Sequence, residues 1–299
     1  MLICLSQILK GMVNILVTGS NGQLGSSIKK LGNEHLNYHF YFTDKKELDI
    51  LNFSEVEKFV VENKIEVLIN CAAYTNVDKA KDEFELANDI NYLAVENLGV
   101  IAKKHTIKLI HVSTDYVFDG KSEIPYLEND KTNPINNYGL SKLKGEEALI
   151  AINPKNCIII RTSWLYSLYG SNFVKTMLKL FMEKESISVV SDQIGSPTNA
   201  NNLAKTILKI IPAIKNKGVE VYHFANEGSC SWFQFAKEIL KNSDDNCIIK
   251  PILSVDFKTK AIRPKYSLLN TEKIKNTFKI EILDWKESLQ QCLHKTQKI

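Results

Sequence analysis

The fold of this 299-residue chain is decided near its start, by the stretch Val13-Asn14-Ile15-Leu16-Val17-Thr18-Gly19-Ser20-Asn21-Gly22-Gln23-Leu24-Gly25. Its first six residues are mostly apolar and rich in β-branched side chains, which predicts a buried strand. Three glycines with G-x-x-G-x-x-G spacing follow, and a helical pattern begins at residue 22. A glycine loop between a strand and a helix lets a pyrophosphate approach the backbone at the positive end of the helix dipole. The stretch therefore predicts a dinucleotide-binding βα unit.

Strands and helices alternate with short connections as far as residue 161. A helix is expected to begin at Ser54, where Glu57 completes a capping box. Several strands are apolar on both faces, which is typical of a parallel sheet covered by helices on both sides. The predicted fold class is therefore α/β, a doubly wound parallel sheet of the Rossmann type with a smaller C-terminal α/β substrate lobe. Further strands are predicted over 38–43, 66–70, 107–112 and 157–161, and helices over 22–31, 83–105 and 137–150.

The same pattern predicts how the chain divides into domains. Residues 1–11 precede Met12 and the first strand, and we expect them to be an N-terminal extension. Residues 12–163 are predicted to form the dinucleotide-binding domain. Residues 164–299 are predicted to form mainly the substrate lobe, with a segment at about 186–224 returning to the first domain. In this half we expect helices near 171–185, 199–211 and 231–241, the last with a Ser231/Gln234 capping box, and short strands near 187–190 and 221–224.

Composition and charge exclude several classes of protein. The formal net charge of +4 is too small to indicate a nucleic-acid partner, and no apolar run is long enough for a membrane span. Six cysteines show neither a C-x-x-C pair nor zinc spacing, and the apolar start lacks the features of a signal peptide. We therefore predict a cytoplasmic protein. All but two of the 38 basic residues are lysines, so only Arg161 and Arg263 offer a planar guanidinium for two-pronged anion binding.

The candidate cofactor-binding residues begin in the glycine loop and continue after the second strand. Asp44 follows that strand 19 residues after Gly25, where a carboxylate can bind the hydroxyls of the adenosine ribose. Lys45 and Lys46 come next and could instead bind a 2′-phosphate. The pattern therefore predicts NADPH or NADH as cofactor and leaves the choice between them open. The candidates in the loop are Gly19, Asn21, Gly22, Gln23, Leu24 and Gly25.

The candidate catalytic residues are Tyr138 and Lys142, in the pattern Y-x-x-x-K, with Thr114 upstream. The pattern also occurs at Tyr41 and Lys45, and a chance match is expected in a chain so rich in lysine. Position decides between the two pairs, because Tyr138 and Lys142 share one face of a predicted helix whereas the other pair spans a strand and its turn. Thr114 follows the fourth predicted strand, at the sheet edge where doubly wound folds bind ligands.

These residue types suit the reduction of a ketone. Hydride transfer leaves an alkoxide that must receive a proton, and a tyrosine can donate it. A lysine ammonium at ~4 Å would contribute up to ~4 kcal/mol at an effective dielectric of about 20, so we expect Lys142 to lower the pKa of Tyr138 toward working pH. Thr114 would hydrogen-bond the carbonyl oxygen, and Lys142 could also hold the nicotinamide ribose.

Four longer motifs narrow the assignment. They lie at residues 70–80 (NCAAYTNVDKA), 113–120 (STDYVFDG), 161–166 (RTSWLY) and 192–198 (DQIGSPT). Together with the glycine loop and the Y-x-x-x-K pair, they resemble the dTDP-4-dehydrorhamnose reductase family of the extended short-chain dehydrogenase/reductase superfamily. The resemblance runs from about residue 12 to about residue 290.

The resemblance implies that the chain reduces the C4 ketone of dTDP-4-dehydro-6-deoxy-L-mannose to dTDP-L-rhamnose with NADPH or NADH, with Tyr138 as the proton donor. Ser27 occupies the position where some relatives would carry a Glu for a magnesium-bridged dimer, so we predict no metal and leave a homodimer open. We expect Arg263 to bind the diphosphate of the substrate through its guanidinium. The resemblance further implies cofactor contacts for Asp49, Ile50, Ala73, Tyr74, Thr75, Tyr138 and Lys142, and substrate contacts for Thr75, Val77, Thr114, Asp115 and Trp164.

Two alternatives remain open at the level of sequence. One is a nucleotide-sugar dehydratase or epimerase of the same superfamily, although Tyr116 stands after Asp115 where dehydratases place the second carboxylate of an acidic pair. The other is a non-catalytic, reductase-like regulatory subunit, against which the intact set of Thr114, Tyr138 and Lys142 argues.

Overall fold

The computed structural model describes residues 11–296. The predicted extension over 1–11 therefore lies outside the described residues, apart from Gly11. Within the described residues, no helix is both long and apolar enough to cross a bilayer.

Twelve strands and ten helices are named in the order of the chain. The strands are β1 (Val13–Thr18), β2 (Tyr38–Phe42), β3 (Val67–Asn70), β4 (Lys108–Thr114), β5 (Cys157–Thr162), β6 (Leu165–Tyr166), β7 (Ser186–Val190), β8 (Ile194–Gly195), β9 (Thr198–Asn199), β10 (Val219–Phe224), β11 (Cys230–Ser231) and β12 (Ile248–Ile252). The helices are α1 (Gln23–Gly32), α2 (Phe53–Glu62), α3 (Phe84–Asn88), α4 (Ala94–His105), α5 (Asn137–Ile152), α6 (Phe173–Glu183), α7 (Ala200–Ile210), α8 (Trp232–Lys241), α9 (Glu272–Phe278) and α10 (Trp285–Thr296).

The central sheet has six parallel strands in the order β10-β5-β4-β3-β1-β2. Because β1 lies between β2 and β3, the chain leaves β1 toward one edge and then crosses back to the other side. In doubly wound sheets, the crevice at the carboxyl ends of such strands is where ligands bind. The predicted α/β, doubly wound fold is confirmed.

Helices cover both faces of this sheet. On one face, Ile15 and Val17 of β1 pack with Ile28 of α1 and Ile207 of α7 in a single buried cluster. On the other face, β1, β3 and β4 pack against α2 and α4 through a second cluster that also includes Leu149 of α5. This two-sided burial explains why the strands are apolar along both faces.

A third apolar cluster lies in the second half of the chain. It brings together α6, α8 and α10, with Phe235 at its centre and Tyr166 and Trp285 against it. Beside it β7 pairs with β12, whereas β10 pairs with β5 in the central sheet. Of the segment 186–224, it is therefore the later part that joins the central sheet, while the domain boundaries themselves stay a prediction.

Helix starts and interruptions differ in part from the sequence pattern. The capping box predicted at Ser54 is wrong: α2 begins at Phe53, and Asn52 is its N-cap, accepting a hydrogen bond from the Glu55 backbone. The box of Ser231 and Gln234 at the start of α8 is confirmed, with both of its hydrogen bonds present.

The single helix predicted over 83–105 is interrupted. A π-helical turn over Asp89–Leu93 separates α3 from α4. Inside this turn the Asn91 amide bonds both backbone groups of Tyr74 and the Ser141 hydroxyl, at 3.0 Å each. Single π-helical turns within a helix are frequently found at functional sites.

Candidate active site

A cavity of about 720 Å³ opens at the carboxyl ends of the central strands. Its wall is formed by residues of the glycine loop, of the loops after β2, β3, β4 and β5, and of the start of α5. Asn21, Gly25, Tyr74 and Arg263, also predicted as site residues, do not lie on its wall. The predicted residues on the wall are Gly19, Gly22, Gln23, Leu24, Asp44, Asp49, Ile50, Ala73, Thr75, Val77, Thr114, Asp115, Tyr138, Lys142 and Trp164.

The glycine loop packs tightly against the neighbouring backbone and leads into an uncapped helix start. Gly19 has a φ of +63°, and a Cβ there would lie 2.6 Å from the backbone N and Cα of Ala72, so only glycine lets β1 and the segment after β3 approach so closely. Gly25 contacts the backbone of Ser20, where a Cβ would lie 2.6 Å from its Cα. The N-cap of α1 is Gly22, and no side chain caps this helix. Its first N–H groups are therefore available to an anion.

The part of the cavity wall after β2 includes Asp44 and Lys45. The Asp44 carboxylate accepts hydrogen bonds from the backbone N–H groups of Asn21 and Lys45, at 3.1 and 2.8 Å. These bonds tie the loop after β2 to the glycine loop. Lys46, the other predicted phosphate ligand, does not line the cavity.

Tyr138 and Lys142 lie one turn apart at the start of α5, and both line the cavity. Asn136 caps this helix by accepting from the Gly139 backbone at 2.8 Å, which fixes the turn that carries Tyr138. Thr114 is the last residue of β4, and a hydrogen bond joins its side chain to that of Tyr138. The structure thus brings the three predicted catalytic residues together.

The pKa of Tyr138 differs from the expectation. Loss of solvent raises it to about 12, the hydrogen bond with Thr114 opposes this rise, and the charge of Asp115 adds to it. The prediction that Lys142 lowers the pKa of Tyr138 is therefore wrong for this state of the protein. Burial is the main cause of the raised pKa, and Lys142 Nζ itself donates to the Val112 carbonyl at 2.7 Å. Burial lowers the pKa of Lys142 to about 8, against the opposing influence of the Glu146 charge.

Asp115 offers an acceptor to a ligand. Its Oδ1 accepts from Thr114 at 3.1 Å, but its buried Oδ2 finds no hydrogen-bond partner within residues 11–296. Burial raises the pKa of this carboxyl to about 7. A buried polar atom without a partner is costly, and a hydroxyl of a bound molecule would satisfy it.

Trp164 closes the cavity from the second half of the chain. It has a φ of +45°, and its ring is stacked on that of Trp232, with centroids 3.5 Å apart and planes within 8°. Gln23 joins the same half to the glycine loop, because its Oε1 accepts from Ser167 and Asn172 at 3.0 and 3.1 Å.

Both arginines are paired with carboxylates of this chain. Arg161 binds the buried Glu146 through Nε and Nη2 and so holds a carboxylate of the protein itself. Arg263 binds Asp78, with Nη1 and Nη2 at 3.2 and 2.6 Å from the two carboxylate oxygens. The guanidinium predicted to bind the substrate diphosphate is thus held by a neighbouring carboxylate outside the cavity wall.

Sequence reasoning missed a buried polar row beside the site. Thr18, Asn70 and His111 each follow a leucine by two residues, in β1, β3 and β4 respectively. The repeated pattern of a leucine and then a polar residue two positions on was visible in the sequence. What it could not reveal is that the strands bring the three polar residues side by side.

Within residues 11–296, no group of three or more His, Cys, Asp or Glu side chains is arranged to hold a metal ion. Thr114, Asp115, Tyr138 and Lys142 line the cavity together with the glycine loop. A phenol donor, a hydroxyl and an ammonium that meet beside a pyrophosphate loop form an arrangement suited to protonating the product of hydride transfer.

Comparison with known proteins gives a consistent result. The family model of the RmlD substrate binding domain matches residues 13–298. A dTDP-4-dehydrorhamnose reductase from Aggregatibacter actinomycetemcomitans is 39% identical, over 93% of this chain and 97% of that protein. The dTDP-4-dehydrorhamnose reductase of Escherichia coli is 36% identical, over 94% and 97%. A crystal structure of dTDP-4-dehydrorhamnose reductase from Bacillus anthracis in complex with NADP has a TM-score of 0.90 and 40% identity, covering 95% of this chain and 99% of that one. The chain belongs to the dTDP-4-dehydrorhamnose reductase family.

Proposed function

We propose that the protein reduces the C4 ketone of dTDP-4-dehydro-6-deoxy-L-mannose to dTDP-L-rhamnose, with NADPH or NADH as the hydride donor. The observation that carries the proposal is the meeting of Thr114, Tyr138 and Lys142 in the cavity that also contains the glycine loop. The names of the relatives support the substrate, and the NADP complex of the Bacillus anthracis protein supports the cofactor.

The residues present fit a dinucleotide. Gly19 and Gly25 let the loop pack tightly against the backbone of Ala72 and Ser20, and a pyrophosphate would meet the uncapped first turn of α1. Asp44 and Lys45 would meet the adenosine ribose, with Asp49 and Ile50 near the adenine, and Lys142 would hold the nicotinamide ribose. When bound, the nicotinamide supplies the hydride.

The residues of the chain then control the proton. Burial keeps Tyr138 protonated across the working pH range, so a donor is always in place. An alkoxide is more basic than a phenolate, even one whose conjugate acid has a pKa of about 12, so transfer from Tyr138 to the C4 oxygen runs downhill. The hydrogen bond with Thr114 favours the resulting phenolate. Asp115 Oδ2 would accept from a sugar hydroxyl and orient the ring.

A dehydratase or epimerase is less well supported by the same site. Elimination of water needs a second carboxylate after Asp115, and Tyr116 occupies that position on the cavity wall. Burial raises the pKa of Tyr116 above its ordinary value, so its phenol does not replace a carboxylate base at neutral pH.

Turnover of the 4-keto sugar with NADPH and with NADH in parallel tests the proposal. Stoichiometric consumption of the reduced cofactor, with dTDP-L-rhamnose identified by NMR, is the expected result. Tyr138→Phe should lower kcat by about 10²- to 10⁴-fold, because it removes the proton donor while preserving the ring. Sugar conversion without net cofactor consumption would favour an epimerase or dehydratase, and an inactive wild type would favour a regulatory subunit.

We further propose that the protein works in the cytoplasm. Cys71, Cys157, Cys230 and Cys247 carry free thiols, which agrees with a reducing compartment. A homodimer stays a prediction, to be tested by light scattering.

A further inference from the structure

The buried polar row beside the active site ends at Lys142. Thr18 Oγ1 donates to Asn70 Oδ1 at 2.7 Å, and Asn70 Nδ2 lies 3.1 Å from His111 Nδ1. The other ring nitrogen, His111 Nε2, lies 3.2 Å from Lys142 Nζ. A continuous chain of polar contacts therefore connects the last residue before the glycine loop with the lysine of the active site.

The row is a product of strand register. Leu16, Leu68 and Leu109 are Cα partners across β1, β3 and β4 and form an apolar row in the core. Two residues further along each strand, Thr18, Asn70 and His111 are partners in the same way. Side chains two residues apart on a strand point to the same face of the sheet. The polar row therefore lies on the same face as the apolar row and next to it along the strands.

Burying these polar side chains carries a cost in folding free energy. Thr18, Asn70, His111 and Lys142 are each at most 1% exposed. Buried polar groups destabilise the fold unless they are hydrogen-bonded, and an apolar residue at each position would extend the core without that cost. A row of this kind, aimed at a residue of the active site, points to a role in the reaction.

The donors and acceptors of the row depend on the charge of Lys142. An ammonium has donors only, so it can bond His111 Nε2 only if that nitrogen is unprotonated. The neutral ring then carries its proton on Nδ1 and donates toward Asn70. Rotating the Asn70 amide by half a turn exchanges the positions of its oxygen and nitrogen without changing the shape of the side chain. Its oxygen then accepts from His111 Nδ1, and its nitrogen donates to Thr18.

We propose that His111 is a positioning residue for Lys142. Its neutral imidazole accepts a hydrogen bond from the Lys142 ammonium through Nε2, and the Asn70 amide, turned with its oxygen toward Nδ1, accommodates the tautomer that makes this possible. With the Val112 carbonyl at 2.7 Å, His111 gives the ammonium two fixed acceptors inside the protein. His111 thereby keeps Lys142 charged and in place beside Tyr138. The inference rests on the proposed function.

Other charged and titratable groups also lie around Lys142. Glu146 lies one turn further along α5 and favours the ammonium, but it is neutralised by Arg161 of β5 at 2.7 Å. Tyr138, one turn earlier, stays neutral, and Asp115 acts on Tyr138 from the end of β4. Burial and the charge of Lys142 both keep the pKa of His111 well below its ordinary value, so the imidazole stays an acceptor at working pH.

Two substitutions separate positioning from mere packing. In His111→Asn, the amide occupies the place of Nδ1, so the contact with Asn70 is kept and the contact with Lys142 is lost. In His111→Gln, the amide reaches the place of Nε2 and can still accept from Lys142. We expect kcat to fall about 10-fold or more in His111→Asn, to stay within about 3-fold of wild type in His111→Gln, and KM for the sugar nucleotide to change less than about 2-fold in both.

The pH profile of kcat gives a second readout. The alkaline limb of the wild type reports Lys142, whose pKa is about 8. Losing one acceptor favours the neutral amine, so the midpoint of this limb should move down by about one pH unit in His111→Asn and stay in place in His111→Gln. Equal loss of kcat in both variants, or an unmoved limb in His111→Asn, would overturn the proposal.

A measurement on the wild type needs no activity. In protein labelled with ¹⁵N-histidine, the His111 signals, assigned by their disappearance in His111→Gln, should show a proton on Nδ1 and none on Nε2 at neutral pH. The opposite tautomer would refute the inference even if the reductase activity were intact. An enzyme without that activity but with the expected tautomer would instead refute the proposed function and leave the Lys142 contact standing.

Discussion

Replacing Arg161 by lysine should destabilise the protein far more than the same change at Arg263. Arg161 is 5% exposed and its partner Glu146 only 1% exposed. Its guanidinium reaches Glu146 with Nε and Nη2, at 3.1 and 2.7 Å, and the Glu128 carbonyl with Nη1, at 3.1 Å. A lysine keeps the charge but carries a single nitrogen, which cannot reach both acceptors.

The magnitude follows from the contacts that are lost. Arg161→Lys removes one arm of the bidentate pair and the bond to the Glu128 carbonyl, and hydrogen bonds to charged groups contribute about 1.5–3 kcal/mol each. Rearrangement of the remaining ammonium offsets part of this loss, so we expect about 3 kcal/mol less free energy of unfolding. With an unfolding entropy of about 0.6 kcal/mol/K for a chain of this size, Tm should fall by about 5 °C.

Arg263→Lys is the matched control. It also replaces a guanidinium that binds a carboxylate, but Arg263 is 22% exposed and Asp78 is 40% exposed. Ion pairs with this access to water contribute about 0.2–1 kcal/mol, so Tm should fall by less than about 2 °C. Thermal unfolding of the two variants and the wild type, in one buffer without ligands, decides the matter. If Arg161→Lys lowers Tm no more than Arg263→Lys does, the burial of the ion pair does not determine how much the guanidinium contributes to the stability of this protein.

Three further changes probe the cavity. Gly19→Ala places a Cβ against the backbone after β3 at a positive φ, so we expect at least a 10-fold loss of NADPH affinity in a fluorescence titration, and unchanged affinity would contradict the tight approach. Lys45→Ala should raise KM for NADPH several-fold and leave KM for NADH unchanged, whereas equal effects would remove Lys45 from 2′-phosphate binding. Gln23→Leu removes the acceptor that joins Ser167 and Asn172 to the glycine loop, but both side chains keep a bond to the Tyr169 carbonyl, so Tm should fall by only about 1–2 °C, and by less in Gln23→Glu, which keeps a carbonyl-type oxygen.

The central sheet could be predicted because its strands are buried on both faces. An apolar run such as Cys157–Thr162 is visible without knowledge of its neighbours, and so is a glycine loop between a strand and a helix. The placement of the candidate catalytic residues could be predicted in the same way, since Thr114 ends a strand and Tyr138 and Lys142 share a helix face. These features depend on local pattern and on the general topology of doubly wound sheets.

The features that sequence could not reveal depend on contacts between distant segments. The π-turn at Asn91 follows from bonds to Tyr74 and Ser141, which are 17 and 50 residues away. The polar row of Thr18, Asn70 and His111 needs the register of three strands. The pKa of Tyr138 was misjudged for a related reason, because burial and the contacts of Lys142 with β4 are invisible in a pattern that fixes only helical spacing.

The pairing of Arg263 with Asp78 sharpens the prediction that this arginine binds the substrate diphosphate. If it does, the diphosphate must displace the Asp78 carboxylate from the guanidinium, and that carboxylate competes with the substrate. Asp78→Asn removes the competing charge and retains the shape, so KM for the sugar nucleotide should fall by up to about five-fold, the equivalent of a half-exposed ion pair of about 1 kcal/mol. If Arg263 only anchors the segment before Tyr266, the same change leaves KM as it is or raises it. Steady-state kinetics of Asp78→Asn beside Arg263→Lys therefore distinguishes a binding arginine from an anchoring one, since only binding predicts opposite changes in KM for the two variants.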